Sequence, residues 1–387
     1  MPFSEKDEQF MRQALELSQR GAALTSPGAK VGAVIVDDHG QILGSGSYTY
    51  EGLKHAEILA LEQAGTRARG ATIYLNLEPH CHQGRTPPCT DALIAAGVKR
   101  VVAAMADPNP KVAGKGFEQL RAAGITVETG LLEAEARRIN EPFAKYILTH
   151  QPLVTLKSGM TLDGKIAGPH GGSVNAPLAA DRWITSEQSR NHAQSLRHES
   201  DAILVGAGTI VADDPLLTDR TGLPRRRPFL RVVLDSRLRC PIGSRLVQTA
   251  QNDVLIFCSF AEEKKRRALE GQGVRVEQVP LGSADGRPDM KKIMARLGEM
   301  EITSVLIEGG ALVNWAALAA DVVDKVFLYY APKILAGGAS VPFASGEGFP
   351  RMSEAAQVKN VKLHNFGDDF AVEGYLHDPY SPPERQS

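Results

Sequence analysis

The sequence predicts two consecutive α/β domains, and three observations carry this prediction. Apolar strand-like segments alternate with helical segments along nearly the whole chain, which is typical of layered α/β folds. The chain has 387 residues, which is more than the roughly 150 of a single typical domain. A short polar break with a proline interrupts the alternation at residues 149–152. We therefore expect one domain over residues 1–148 and a second over residues 152–377.

The overall charge excludes partners that are recognised mainly by electrostatics. Lys and Arg number 44 and Asp and Glu 45, so the net charge is −1 and we expect no binding to nucleic acid or to an anionic membrane. No apolar run reaches the ~20 residues that span a bilayer, and the N-terminus lacks the apolar core of a signal peptide. We expect a cytoplasmic protein, whose four cysteines would be free thiols or metal ligands.

The elements of the first domain follow from hydrophobic periodicity and turn signals. Residues 4–22 have the pattern of an amphipathic helix, which Ser4 can cap together with Asp7 three residues later. Residues 31–38 and 41–48 resemble a pair of strands joined by a turn. The remaining predicted elements are a helix at 56–63, a strand at 71–77, a helix at 91–97, a strand at 100–107, a helix at 117–124, a strand at 125–130 and a helix at 133–148.

The second domain shows a similar alternation. Its predicted strands lie at 153–160, 202–208, 231–236, 253–259, 274–280, 304–310 and 324–335, with helical segments between most of them. A basic cluster, PRRRP at 224–228, fits either a solvated loop or a position near a cofactor phosphate, and we favour the solvated loop. No G-x-G-x-x-G follows the first strand, so the pattern alone does not identify a dinucleotide-binding fold.

Metal-type ligands are concentrated in two short segments of the first domain. His55 and Glu57 stand at the start of a predicted helix, and a proline-rich loop carries His80, Cys81, His82 and Cys89. A His-x-Glu followed by a Pro–Cys loop is the signature of zinc-dependent deaminases. Such a site needs three protein ligands and an open position for water, together with a carboxylate that carries the proton of that water to the leaving ammonia. We expect Glu57 to be that carboxylate.

The motifs in residues 26–116 resemble the N-terminal domain of the bifunctional riboflavin-biosynthesis deaminase/reductase family. They are HAE, LEP, H-x-GRTPPC-x-DALI and DPNP-x-V-x-GKG, in the order of that family. The resemblance implies a cytidine-deaminase-like three-layer α/β/α fold and one zinc ion. Family members bind zinc with a histidine and two cysteines. His55 and Cys89 match two of these positions, but His80 stands where the first cysteine is expected.

This departure leaves alternatives open at the third ligand. Either His80 binds zinc directly, or Cys81 does so after a shift of the loop, or the zinc site has been lost. We expect His80, because it holds the position after Pro79 and a slip of one residue would turn the next side chain the other way. Imidazole suits zinc well.

The resemblance also implies a set of substrate-binding residues in the first domain, and two departures near them. Gly28 replaces an asparagine that helps to hold the pyrimidine, and Tyr48 replaces a histidine. Whether these changes weaken deamination is left open by the sequence. The implied substrate-binding residues are His82, Arg85, Thr86, Asp107 and Asn109, although a plain turn also explains the last two.

The second domain resembles the reductase half of the same family in LKSGMTLDGKIA, WITSEQSR, DAILVGAGTIVADDPLLT, VVLDSR and LIEGGALVNWAAL. That resemblance implies a dihydrofolate-reductase-like fold that uses NADPH. It implies a cofactor site formed by Gly159, Trp183, Thr209, Asp213, Ser236, Gly310, Ala311, Leu312, Val313 and Asn314. The implied substrate-binding residues are Asp181, Arg197, Leu217, Arg220 and Glu308, with Lys157 and Glu308 as a catalytic pair that handles protons.

Together these features predict a bifunctional enzyme of riboflavin biosynthesis. Its first domain would deaminate 2,5-diamino-6-ribosylamino-4(3H)-pyrimidinone 5′-phosphate with zinc, and its second would reduce the ribosyl group to ribityl with NADPH. We expect a phosphorylated pyrimidine as the substrate and a homo-oligomer as the assembly. The alternatives are a reductase with a weakened deaminase domain and a non-catalytic ligand-binding protein on the same folds. A nucleic-acid base deaminase fits less well, because the chain has no excess of positive charge.

Overall fold

The computed structural model describes residues 3–169, 183–282 and 287–381. The chain divides into two compact units. The first comprises Met1–Thr149, Pro224–Arg227 and Tyr380–Ser387, and the second comprises His150–Leu223 and Pro228–Pro379. The limits of 1–148 and 152–377 for the two functional domains stay predictions.

The first unit is built on a five-stranded mixed sheet. Its elements are α1 (Glu5–Gln19), β1 (Gly32–Val36), β2 (Ile42–Ser47), α2 (Ala56–Ala64), β3 (Thr72–Leu75), α3 (Cys89–Ala96), β4 (Arg100–Ala103), α4 (Lys115–Ala122), β5 (Thr126–Thr129), α5 (Glu133–Ile139) and α6 (Glu141–Thr149). The strand order is β2-β1-β3-β4-β5. Strand β1 is antiparallel to β2 and β3, whereas β3, β4 and β5 are parallel, with α3 and α4 as the connections.

Helices cover both faces of this sheet. Ile35 and Ile73 belong to a core that includes residues of α2, α3 and α4, and Val34 and Tyr74 belong to a second core that includes residues of α1 and α5. Alternate residues of one strand face opposite sides, so the unit has three layers, as the sequence predicts. Helix α1 begins with the expected capping box, in which the Ser4 hydroxyl accepts from the Asp7 amide.

Two glycines let α2 approach β2 closely. A Cβ at Gly46 would lie 2.1 Å from the carbonyl oxygen of Ala56, and a Cβ at Gly44 would lie 2.2 Å from that of Ala60. Any side chain at these positions would therefore push the helix away from the strand. This close packing fixes the start of α2, where His55 and Glu57 lie.

The second unit contains a nine-stranded sheet with the order β11-β10-β9-β8-β12-β6-β13-β16-β15. The nine strands are β6 (Leu153–Thr161), β8 (Ala202–Gly206), β9 (Leu230–Leu234), β10 (Val254–Cys258), β11 (Val274–Gln278), β12 (Ser304–Ile307), β13 (Lys325–Ala331), β15 (Lys359–Phe366) and β16 (Asp369–Tyr375). Two further strands, β7 (Lys165–Ala167) and β14 (Val341–Pro342), form a separate two-stranded sheet. Strands β6 and β8 to β13 run parallel, and β16 and β15 extend the sheet in antiparallel fashion.

The helices of the second unit lie on both faces of the parallel part. They are α7 (Glu187–Glu199), α8 (Ala207–Asp213), α9 (Arg245–Gln248), α10 (Glu263–Glu270), α11 (Met290–Glu299) and α12 (Ala311–Ala319). Leu204 of β8 belongs to the core with α11 and α12, whereas its neighbours Ile203 and Val205 belong to the core with α8, α9 and α10. Burial on both faces explains why the central strands β8, β10 and β12 are almost continuously apolar.

Among the described residues, no helix combines the length and the apolar character that crossing a membrane would require.

Candidate active sites

The first candidate site is formed where α2 and α3 begin. His55 is the residue before α2, with an extended backbone, and Glu57 lies in its first turn with 3% of its surface exposed. The loop after β3 runs through His80 to Pro88 and ends at Cys89, the first residue of α3. The amide of Thr90 donates to the carbonyl oxygen of His80 over 3.3 Å, which ties the loop to the helix.

Three of the expected ligands come together at this point. His55, His80 and Cys89 each offer one ligand atom, and these atoms all lie within 4.8 Å of one another. The sulfur of Cys89 is 3.4 Å from Nδ1 of His55, and the imidazole centroids of His55 and His80 are 4.4 Å apart. Cys81 does not belong to this group of ligand atoms. The group contains His80 and not Cys81, which is the choice that the sequence analysis favours for the third ligand.

The chemistry of this group fits a zinc ion. Both ring nitrogens of His80 and Oε2 of Glu57 are buried and have no hydrogen-bond partner among the described residues. Burial is the main reason why the pKa of His55 is lowered to about 4, and it also lowers the pKa of His80, so both imidazoles are neutral near pH 7. Neutral imidazole and thiolate are the donors that zinc prefers in proteins.

Glu57 lies against the ligand group with its carboxylate in a dry environment. Burial raises the pKa of this carboxyl above its ordinary value, and a hydrogen bond with Cys89 offsets part of that rise. Burial and the same Glu57 carboxylate raise the pKa of the Cys89 thiol. A buried carboxylate beside the ligand group is placed to take a proton from a bound water and to release it again, which is what an acid/base catalyst does.

The loop residues expected to bind substrate lie around the ligand group. The Thr86 hydroxyl is 3.4 Å from Nε2 of His55, and the His82 ring lies 5.8 Å from the His80 ring in an edge-to-face arrangement. Arg85 is exposed, and its guanidinium carbon lies 3.8 Å from the centroid of Tyr50. Through its contact with His55, Thr86 can also orient that imidazole.

The two departures from the family pattern lie next to the ligand group. The ring of Tyr48 is 5.0 Å from that of His55, and a Cβ at Gly28 would lie 3.4 Å from the Tyr48 ring. The missing side chain at Gly28 and the larger one at Tyr48 therefore occur side by side. This contact is a physical reason to treat them as one change in the shape of the site.

Asp107 and Asn109 form a turn. The carboxylate of Asp107 accepts from the Asn109 amide over 2.8 Å, and the Asn109 side chain accepts from the Lys111 amide over 3.0 Å. Burial raises the pKa of Asp107 to about 7. Glu78, which the sequence analysis did not single out, holds this segment in place, because its carboxylate accepts from the amides of Asp107 and Gly116. The contacts seen here support the turn interpretation, and substrate binding by this pair stays a prediction.

The second candidate site is a cavity of about 1020 Å³ in the second unit, at the carboxyl ends of the parallel strands. Ligands of open α/β sheets usually bind at this edge. Of the expected cofactor residues, Gly159, Trp183, Thr209, Asp213, Ser236, Gly310, Ala311, Leu312 and Val313 line it. Of the expected substrate residues, Lys157, Arg197, Leu217, Arg220 and Glu308 line it as well.

One expected cofactor residue does not line the cavity. Asn314 is fully buried behind the cavity wall, and its side-chain amide donates to the carbonyl oxygen of Phe343 over 2.7 Å. We therefore expect Asn314 to support the cavity wall. It does not line the cavity, so the structure offers no position for its predicted contact with the cofactor. Asp181 lies outside the described residues.

Glu308 is the centre of an ionic network at the floor of the cavity. It accepts from Nζ of Lys157 over 3.2 Å, and from Nε and Nη2 of Arg197 over 2.6 and 2.9 Å. Burial alone would raise the pKa of Glu308, but the two cations outweigh burial and lower that pKa to about 2. Arg197 was expected to bind a substrate phosphate, yet its guanidinium is engaged with Glu308 and with the Thr218 carbonyl oxygen. Glu308 therefore holds both cations in position as an anion, and its part in proton handling stays a prediction.

Trp183 lies at the rim of the cavity with half of its surface exposed. The guanidinium carbon of Arg190 lies 4.8 Å from its ring centroid, and Nζ of Lys333 donates to its carbonyl oxygen over 3.0 Å. An exposed aromatic ring at a cavity rim is suited to contact a ligand. Trp183 is therefore not a core residue.

The sequence analysis missed several basic residues at these sites. Arg239, Arg245 and Arg287 line the cavity of the second unit, but single arginines carry no motif that would identify them. Arg190 lines it too and ends the motif WITSEQSR, but the sequence analysis gave it no role. The favoured interpretation of the basic cluster at 224–228 as a solvated loop is wrong for Arg226, whose side chain is only 17% exposed and is bonded within the first unit.

Two family matches follow the same division of the chain. Residues 4–105 match the cytidine and deoxycytidylate deaminase zinc-binding region, and residues 152–372 match the RibD C-terminal domain. The second match alone spans more than half of the chain. The chain belongs to the RibD family.

Individual RibD proteins are similar over almost the entire chain. The riboflavin biosynthesis protein RibD of Aquifex aeolicus is 40% identical over 368 residues, covering 95% of this chain and 98% of that protein. Its counterpart in Escherichia coli is 40% identical over 378 residues, with coverage of 95% and 98%. The solved structure of Acinetobacter baumannii RibD is 34% identical, with a TM-score of 0.80 and coverage of 96% of this chain and 99% of that chain.

A second similar solved structure is that of an enzyme named for both activities. It is a diaminohydroxyphosphoribosylaminopyrimidine deaminase/5-amino-6-(5-phosphoribosylamino)uracil reductase from Thermotoga maritima, 34% identical, with a TM-score of 0.78 and coverage of 96% and 98%. Membership of the RibD family confirms the predicted fold class, a cytidine-deaminase-like domain followed by a dihydrofolate-reductase-like domain. It also confirms a bifunctional enzyme of riboflavin biosynthesis, with a zinc-binding deaminase domain and an NADPH-dependent reductase domain.

Proposed function

We propose that the first unit deaminates 2,5-diamino-6-ribosylamino-4(3H)-pyrimidinone 5′-phosphate, and that the second reduces the ribosyl group of the product to ribityl with NADPH. The observation that carries the first half is the group of His55, His80 and Cys89, whose ligand atoms lie within 4.8 Å of one another beside a buried Glu57. The two activities named for the Thermotoga maritima relative support both halves.

Deamination replaces a C–N bond of the pyrimidine by a C–O bond from water and releases ammonia. A zinc ion held by His55, His80 and Cys89 would supply a water whose pKa is lowered to roughly 7. Glu57 takes the proton of the attacking water and delivers it to the departing amino group. The raised pKa of the Glu57 carboxyl suits both transfers, since the group can hold the proton between them.

The pyrimidine would lie against the loop that follows β3. We assign substrate contacts to His82, Arg85 and Thr86, which surround the ligand group. Asp107 and Asn109 complete the assignment from the family resemblance. A reductase with a weakened deaminase is the second candidate function, because Tyr48 and Gly28 alter the site directly beside His55.

The reduction would take place on the floor of the second cavity. NADPH bound there would supply the hydride. Lys157 holds an ammonium group next to Glu308 and is the residue placed to give a proton to the nitrogen of the opened ribosylamine. Arg220 also lines the cavity and provides a guanidinium for the substrate phosphate, a role that Arg197 shares only if it releases Glu308.

The preference for NADPH comes from the family resemblance, and basic residues of the cavity support it. Arg239, Arg245 and Arg287 line the same cavity, and an arginine near the ribose is what accommodates the extra 2′-phosphate of NADPH.

We also propose that the protein works in the cytoplasm as a homo-oligomer. Light scattering on the purified protein would test the oligomeric state.

Turnover by the purified protein tests the proposed function. Each turnover should release one ammonia and oxidise one NADPH, and NADH should be the poorer reductant. If no ammonia is released and NADPH is oxidised only when substrate deaminated beforehand is supplied, the weakened-deaminase alternative is correct. If neither reaction occurs with zinc bound, the proposal is wrong.

A further inference from the structure

One wall of the cavity in the second unit is formed by residues 217–221, the wall loop. Leu217 and Arg220 of this loop line the cavity. Leu217 is buried and its φ is +54°, in the left-handed region that residues other than glycine rarely adopt. Such a backbone persists only where its surroundings hold it. The contacts of the wall loop therefore decide how Arg220 is presented to the cavity.

The wall loop is held by side chains that lie three and four residues apart on one face of α7, namely Gln194, Arg197 and His198. Oε1 of Gln194 accepts from the Arg220 amide over 3.1 Å. Nη1 of Arg197 donates to the Thr218 carbonyl oxygen over 3.1 Å. Nδ1 of His198 lies 2.8 Å from Oδ2 of Asp219. The helix thus contacts three consecutive residues of the loop.

The bond between His198 and Asp219 is buried on both sides, because each side chain is only 7% exposed. A carboxylate can only accept, so Nδ1 of His198 carries the hydrogen. The other oxygen of Asp219 accepts from the amide and the hydroxyl of Thr221, over 2.9 and 2.8 Å. One carboxylate therefore links the loop to α7 and also folds the loop around Arg220, the residue between Asp219 and Thr221.

We propose that His198 and Asp219 are positioning residues of the reduction, whose bond fixes the wall loop so that Arg220 is presented to the cavity before the substrate binds. The proposal rests on the proposed reductase function and deepens it. Neither residue lines the cavity, so both act through Arg220 and not by touching the substrate. Their effect falls on substrate binding, because a preorganised guanidinium binds an anion at a lower entropic cost.

Two substitutions of His198 test the bond by its geometry. The amide nitrogen of His198→Asn can take the place of Nδ1 and donate to Asp219, whereas that of His198→Gln corresponds to Nε2 and cannot. NADPH oxidation is measured with the deaminated substrate, 5-amino-6-(5-phosphoribosylamino)uracil. His198→Gln should raise the substrate KM about tenfold, the effect of one lost hydrogen bond to a buried charged group.

The other kinetic constants distinguish positioning from packing. In His198→Gln, kcat and the KM for NADPH should stay within about twofold, because only substrate binding is weakened. His198→Asn should keep a substrate KM close to that of the wild type. Gln is closer to His in size than Asn is. A wild-type KM in His198→Gln with a raised KM in His198→Asn would therefore show that His198 only fills space, which overturns the proposal.

Asp219→Ala removes the same bond from the loop side. It should raise the substrate KM at least as much as His198→Gln does, because it also loses both bonds to Thr221. The double variant should be no worse than Asp219→Ala alone, since the two residues act through one bond. Effects that multiply would mean that the residues act independently, and the proposal would be wrong. Because Asp219 lies in a loop, this variant also tests the proposal if His198→Gln does not fold.

His364→Asn is the matched control. Nε2 of His364 lies 2.8 Å from Oε2 of Glu373 in the same unit, and neither residue lines the cavity. The shorter Asn side chain loses this bond and leaves the wall loop untouched, so the substrate KM should not change. A rise equal to that of His198→Gln would mean that losing any histidine–carboxylate pair weakens binding by general destabilisation, which contradicts the proposal.

Two measurements without turnover separate this inference from the reductase assignment. Hydrogen–deuterium exchange follows the amides of Arg220 and Thr221, and calorimetry follows binding of the deaminated substrate without NADPH. His198→Gln should speed exchange in the wall loop and weaken substrate binding. If the wild type binds the substrate but oxidises no NADPH, the reductase assignment fails, and weaker binding by His198→Gln still supports the inference. Faster exchange with unchanged substrate affinity overturns the inference, even if the enzyme reduces its substrate.

Discussion

His80 and Cys81 are adjacent residues with different surroundings. Both ring nitrogens of His80 are buried without a partner among the described residues and lie in the group with His55 and Cys89, whereas Cys81 lies outside that group. We expect His80→Ala to lose most of the bound zinc and Cys81→Ser to keep it. Zinc per chain, measured by atomic absorption after dialysis, decides between them.

His80→Cys is the control for this measurement. It restores the family arrangement and should retain zinc, because thiolate and imidazole are both good zinc ligands. Zinc loss in Cys81→Ser together with retention in His80→Ala would mean that the loop has shifted and Cys81 is the ligand.

Glu308 should make stability depend on pH. Its pKa is lowered from 4.5 to about 2, so its stabilising effect is complete above about pH 4.5 and is lost as the pH falls through about 2. Glu308→Gln should therefore lower the free energy of unfolding at neutral pH, and the deficit should shrink as the pH falls from about 5 towards about 2. Urea unfolding at several pH values measures it.

Glu270→Gln serves as the comparison. Glu270 forms a partly exposed surface ion pair with Arg266, and such a pair contributes little to the free energy of unfolding. A Glu308→Gln deficit that does not change with pH would contradict the assigned ion network.

Sequence motifs identified the candidate metal ligands and Glu57, because these residues lie close together along the chain. His55 and Glu57 are two residues apart, and the loop ligands lie within ten residues, so their chemistry shows in the sequence. Arg226 is far from Tyr50 in sequence, and only the folded chain brings them to 3.6 Å. Such a residue could not be predicted, because a lone arginine in a basic cluster resembles any solvated loop.

At the scale of elements, the packing of α2 on β2 controls the position of the metal ligands. A Cβ at Gly46 would lie 2.1 Å from the Ala56 carbonyl oxygen, which is backbone and cannot turn aside. We expect Gly46→Ala to destabilise the first unit by about 1–3 kcal/mol and to speed up zinc loss to a chelator, since His55 and Glu57 would move with the helix. Chelator competition followed by a zinc-sensitive dye measures this.

Gly243→Ala is the reference substitution, because nothing lies within 4 Å of its added Cβ. It should change neither zinc release nor stability by more than about 0.5 kcal/mol. Equal effects of the two substitutions would show that the close approach does not constrain the helix.

Most strands with a clear apolar pattern were predictable, whereas the C-terminal hairpin was not. The sequence analysis found β6 and β8 to β13, whose buried residues form long apolar runs. It missed the hairpin of β15 and β16. Strand β15 lies at the edge of the sheet and is exposed at most positions, and its last residue, Phe366, packs on a small core. Its residues therefore lack the alternation that marks a half-buried strand.

For the whole molecule, the order of the strands is what assembles the second site. Ile307 of β12 pairs with Leu156 of β6, and this register puts Glu308 beside Lys157 although 151 residues separate them. Periodicity indicates that both strands exist but not that they are neighbours. The family resemblance predicted the pair of residues, and the sheet supplies the reason why they meet.

The two activities should be separable, because their proton-handling residues lie in different units. Glu57→Gln keeps the shape of the buried side chain but cannot carry the proton, so ammonia release should fall at least a thousandfold while reduction of deaminated substrate stays within about twofold. Lys157→Met should do the reverse, and the chain should stay folded because Glu308 keeps both bonds to Arg197. The measurements are ammonia release and NADPH oxidation, each with its own substrate. A parallel loss of both rates in a folded Glu57→Gln protein would contradict two independent sites, since nothing in the proposed chemistry of the second site uses that carboxylate.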